Sequence, residues 1–110
     1  MKVIEQAGRW AEPNDTGATY IEHLATGDLS IGTYSLRAGA SDIQSPHTED
    51  EVYVVQSGRA TLVTTTGIAD LGPGSVVFVP AGERHRFTEV SEDLALLVVF
   101  APPYESRAAG

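Results

Sequence analysis

The sequence predicts an all-β domain of antiparallel strands, arranged as a sandwich or a barrel. Short segments dense in β-branched and aromatic residues recur every 8–12 residues, with Gly, Pro, Asp and Ser between them. No window of useful length carries helical periodicity, and there are no heptads or low-complexity tracts. With 110 residues, 42% of them hydrophobic, the chain is expected to form one domain with a modest core.

Residues 1–17 read as an irregular arm, "AGRW" followed by the turn-rich "EPNDTG". From Ala18 to Tyr104 the texture is that of the barrel domain. "ATYIEHLA" and "LSIGTYSL" are strands joined by "TGD", and "RAGASDIQSP" is a loop. "EVYVVQ" is a strand that "SGR" turns into "ATLVTTT"; "GIADL" follows, then the tight turn "GPG" and the strand "SVVFVP". "AGERH" turns into "RFTEV", "SED" turns again, and "LALLVVFAP" is the last strand. That makes about nine short strands, with residues 105–110 as a frayed tail.

Composition excludes several classes. With no cysteine there is no disulfide framework or thiolate chemistry, so a metal would need His, carboxylate or water. A net charge of −8, from 15 acids against 7 bases, disfavours nucleic acid, whose phosphates are bound through Lys and Arg. The longest apolar run, from Leu94, falls far short of the ~20 residues of a membrane helix. "MKVIEQAGRW" lacks the apolar stretch of a signal peptide, so a cytoplasmic location is expected. "GPG" at 72–74 has no helix after it to make a phosphate loop.

The informative stretch is "SPHTEDEVYVVQSGR", residues 45–59. On one straight strand His47 and Glu51 would stand about 13 Å apart. If "TED" is a turn, with His47 ending one strand and Glu51 beginning the next, the two converge. His85 follows the turn "VPAGERH" and would also lie at a strand end. Two histidines and a carboxylate at strand ends are the ingredients of a facial triad with open coordination positions. Each histidine alone reads better as a hydrogen-bonded structural residue, and the alternative for Glu51 is a salt bridge to Arg37, Arg59 or Arg86. Period-two counting places Tyr53 and Val55 on Glu51's side, lining a pocket. Glu49 and Asp50 read as solvated turn residues and His23 as a surface or packing residue. After Gly74, either Val77 and Val79 or Val76 and Phe78 face inward.

The sequence resembles a small single-domain cupin. The first cupin motif, G-x5-H-x-H-x3-4-E-x6-G, is matched by Gly39, His47, Glu51 and Gly58. The second, G-x5-P-x-G-x2-H-x3-N, is matched by Gly74, Pro80, Gly82 and His85. Two positions depart: Ser45 replaces the first histidine of the first motif, and Glu89 replaces the closing asparagine. The resemblance implies a double-stranded β-helix, the jelly-roll barrel, with His47, Glu51 and His85 as metal ligands. Ser45 lines the pocket in place of the lost imidazole, and Gln44 or Glu49 is a substitute donor should either reach inward. The resemblance also implies a homodimer, with Trp10 and Tyr20 in an arm crossing onto a second subunit.

Three functions of different class follow. The first is an enzyme holding Fe, Mn, Ni or Zn and acting on a small molecule, of dioxygenase, isomerase or lyase type. Glu51 and His85 are its candidate catalytic residues, as bases if no metal is bound. The second is a barrel that binds a small ligand without turnover, favoured by the missing imidazole. The third is an interaction domain, which leaves Glu51 unexplained.

Overall fold

The computed structural model describes residues 1–42 and 47–106. The described residues form six antiparallel strands: β1 (Ala18–Ala25), β2 (Ser30–Leu36), β3 (Asp50–Thr64), β4 (Gly67–Leu71), β5 (Val76–Val79) and β6 (His85–Ala101). They hydrogen-bond in the order β1-β2-β6-β3-β4, with β5 also on β3. No helix occurs among the described residues, so none crosses a membrane.

Strands β3 and β6 organise the molecule, because each runs through both layers of the barrel. The first half of β3 pairs with residues 95–101 of β6 and with β5. Its second half pairs with residues 85–88 of β6 and with β4. Between the halves the register shifts at Val55/Ser57, Ser57/Arg59 and Arg59/Thr61, and such bulges bend a strand and raise its twist. Here the sequence reading is corrected. "SGR" and "SED" are bends inside continuous strands of 15 and 17 residues, so four of the expected short strands form two long ones. Gly58 makes the bend possible: with φ at 90°, a Cβ there would lie 2.1 Å from the Asp93 carbonyl oxygen.

The core fills the space between the layers, with Leu36, Tyr53, Leu62, Phe87, Leu94, Leu96 and Phe100 buried. Strand β5 resolves its two faces: Val79 is buried and Val77 packs on the core, while Val76 and Phe78 are 67% and 60% exposed. The loop before β3 is tied inward by Asp42. Its carboxylate accepts the Tyr34 hydroxyl at 2.6 Å and the Phe87 N–H at 2.7 Å. Both oxygens of this buried acid are thereby matched, as burial of a charge requires.

One further reading changes. Tyr20 belongs to β1, where its ring lies over Gly32; a Cβ on Gly32 would come within 2.3 Å of the Tyr20 hydroxyl. Within the chain, Gly8 N–H donates to Thr33 Oγ1 at 2.7 Å and Ala11 N–H to Ser35 Oγ at 3.0 Å. Thr33 Oγ1 is also hydrogen-bonded with His23 Nε2 at 2.6 Å.

Candidate metal centre

His47, Glu51 and His85 meet inside the barrel. Glu51 is the second residue of β3 and points inward, as do Tyr53 and Val55 at the following alternate positions. Its cross-strand neighbours are Val79 and Phe100, so the carboxylate has apolar flanks. His85 opens β6 with its side chain buried. His47 lies in irregular chain just ahead of β3 and ends no strand, which corrects the hairpin expectation.

The two motifs are held together by hydrogen bonds. Gly82 N–H donates to the His47 carbonyl at 2.7 Å, and Ala81 N–H to Asp50 Oδ1 at 2.9 Å. The turn that delivers His85 therefore docks on the turn that delivers His47 and Glu51.

Glu51 Oε1 lies 3.1 Å from His85 Nε2 and 3.8 Å from His47 Nε2. One ligand atom from each of the three residues falls within 4.8 Å of the others, so the group could hold a metal ion. The donors also fit a divalent transition metal, two imidazoles and a carboxylate leaving positions open. Glu51 Oε1 is buried and accepts no hydrogen bond despite the nearby nitrogens. Leaving such an oxygen unmatched is costly, and a cation would satisfy it.

His85 is oriented for ligation. Its Nδ1 lies 2.9 Å from the Glu83 carbonyl, which can only accept, so Nδ1 carries the proton. Nε2 is then free to face Glu51 and to accept from the Tyr53 hydroxyl at 3.1 Å. Burial works against the charged form of this ring. The Glu51 carboxylate and the Glu83 carbonyl outweigh it, and the pKa of His85 is raised above its ordinary 6.5.

The cupin domain family matches residues 32–100, a span that includes all three residues. The chain belongs to the cupin family. An uncharacterized protein of Streptomyces coelicolor is 46% identical over 103 residues, covering 94% of this cupin and 98% of the relative. An RmlC-like cupin from Desulfovibrio desulfuricans superposes with a TM-score of 0.75 at 20% identity, over 94% of this chain and 98% of its own. The protein TT1209 of Thermus thermophilus gives 0.71 at 27% identity, over 82% and 88%. The Desulfovibrio likeness shows the fold alone, a jelly-roll barrel of antiparallel strands.

Other residues read from the sequence are placed as follows. Tyr53 and Val55 are buried on Glu51's side. Ser45 and Gln44 lie outside the described residues. Arg37 pairs with Glu12 at the surface, and Arg59 and Arg86 are exposed, so none of them partners Glu51. Glu49 is corrected: it is only 2% exposed, yet it stands outside the ligand group. Its carboxylate accepts the Thr48 hydroxyl and the Glu105 N–H. Sequence reasoning also missed Phe100 and Tyr104, whose rings flank His47. Phe100 lies in a strand apolar on both faces, so alternation could not orient it, and Tyr104 lies next to apparent tail.

Proposed function

We propose that this cupin holds a divalent transition metal, Fe, Mn, Ni or Zn, on His47, Glu51 and His85. It uses that centre as an enzyme of dioxygenase, isomerase or lyase type on a small organic molecule in the barrel. The observation that carries the reading is the buried, unmatched Glu51 oxygen with two imidazoles converging on it. Bound there, such an ion supplies either oxygen activation or Lewis-acid polarisation of a carbonyl or hydroxyl group.

The chain's own residues do the rest. The Glu83 carbonyl keeps the His85 proton on Nδ1 and the ring turned inward. Tyr53 presents a hydroxyl to the centre from a fixed strand position. Val79 and Phe100, the buried cross-strand neighbours of Glu51, surround its carboxylate with apolar atoms, which strengthens polar contacts there. In a metal-free barrel, His85 and Glu51 at 3.1 Å would instead form a couple able to move a proton.

The deciding test is metal content by elemental mass spectrometry on the parent and on the double variant His47→Ala, Glu51→Ala. Near-stoichiometric metal in the parent and none in the variant establishes the centre, and the metal's identity separates oxygen chemistry from Lewis-acid chemistry. A parent that stays empty after anaerobic reconstitution sinks the metal reading. It would favour a metal-free barrel that binds a small ligand.

A further inference from the structure

Of the three ligands, His47 has the least support from its own backbone. It lies outside any strand, and its side chain is 17% exposed, against 2% for Glu51 and 1% for His85. Other rings enclose its imidazole. Phe100 meets it edge-on at 5.1 Å and Tyr104 at 5.5 Å, both at 75°. Phe100 and Tyr104 stack on each other at 4.7 Å and 26°, and the edge of Tyr20 closes on Tyr104 at 5.6 Å.

Tyr104 reaches this position because the chain beyond β6 is fastened there. Its N–H donates to Ser30 Oγ at 2.9 Å, and Ser30 is fully buried. The next N–H, of Glu105, donates to Glu49 Oε1 at 3.1 Å. Glu49 sits midway between His47 and Glu51, so the segment beyond β6 is tied to the turn that carries two of the three ligands. A buried carboxylate that takes no place among the ligands needs another reason to be there, given what its desolvation costs. Accepting this N–H is such a reason.

We propose that residues 102–106 are a strap belonging to the metal centre, in which Tyr104 is a positioning residue for His47 and Glu49 is the latch that holds it. The inference rests on the reading that His47 ligates a metal. Partners that orient a metal ligand typically contribute about 10–100-fold to metal affinity. A ring packed on the imidazole lowers the entropy lost when it coordinates.

The test uses the full chain loaded with Zn(II), following affinity and the rate of transfer to a chelator. Tyr104→Ala and Glu49→Ala are expected to speed transfer about tenfold and weaken affinity by a similar factor. Tyr104→Phe keeps the ring and Glu49→Gln keeps an acceptor, so both are expected to stay within about threefold of the parent. The two alanine variants act from opposite ends of the strap, so if one fails to fold the other decides. Parent-like transfer in a folded alanine variant overturns the inference. Equal loss in the alanine and conservative variants also overturns it, since that marks general damage. Failure of the metal reading looks different, because the parent then binds no Zn(II). The strap is in that case read from the His47 imidazole signals by NMR, which Tyr104→Ala should shift and average. Unchanged signals overturn it.

Discussion

His85 Nε2 lies 3.1 Å from Glu51 Oε1, and both groups are almost fully buried. Glu51 and the Glu83 carbonyl raise the imidazole's pKa against the opposing effect of burial, with Asp42 adding to the rise. In metal-free protein the resulting stabilisation is complete below the ordinary value of 6.5 and is lost as pH rises through the raised folded value. EDTA-treated parent should therefore unfold at a higher temperature near pH 6 than near pH 8.5, and Glu51→Gln should flatten that trend. Metal retention should run the other way, since protons compete for Nε2, with release beginning above the ordinary histidine range. A Glu51→Gln variant with the parent's pH slope would remove Glu51 as the cause.

Two tyrosines make opposite predictions for one substitution. The Tyr53 hydroxyl donates to His85, so Tyr53→Phe should destabilise the metal-free protein by about 1 kcal/mol. The Tyr20 hydroxyl is buried without a partner, and burial pushes its pKa well above the usual phenol value. Tyr20→Phe should stabilise by up to about 1 kcal/mol, because it removes an unmatched polar group. Urea unfolding of both variants beside the parent checks the pair, and equal signs would contradict it.

Gly58→Ala should cost at least about 2 kcal/mol, combining left-handed backbone strain with a collision. The collision is with backbone, the Asp93 carbonyl, which cannot swing aside. Gly39 also has a positive φ but faces open space, so Gly39→Ala is the control and should cost only the strain. Similar losses at both positions would mean that the β3–β6 approach is unimportant.

The homodimer expected from the family can be tested on the outer face of β5. Val52 pairs with Phe78 and Val99, and Val54 with Val76 and Leu97, forming two adjacent rows without charge on a chain of net −8. A second copy could meet this face without like-charge repulsion, and among the described strands β5 pairs only with β3. Sedimentation should give twice the chain mass of 11.7 kDa, and Phe78→Asp should halve it. A parent that sediments as a single chain would rule the dimer out.

Local chemistry made much of this protein legible. Period-two alternation from Glu51 placed Tyr53 and Val55 inward, and the motif spacings alone singled out His47, Glu51 and His85. An all-β domain of the cupin family could be read without a structure, because strand propensity, turn residues and motif spacing are properties of neighbouring residues. Tertiary structure alone decided that "SGR" and "SED" bend strands without ending them, since a bulge is distinguished from a turn only by the strand lying opposite. It decided the burial of Glu49 and the fastening of Tyr104 for the same reason. A loop side chain has no periodicity to orient it, and its surroundings come from residues as distant as Ser30 and Glu105.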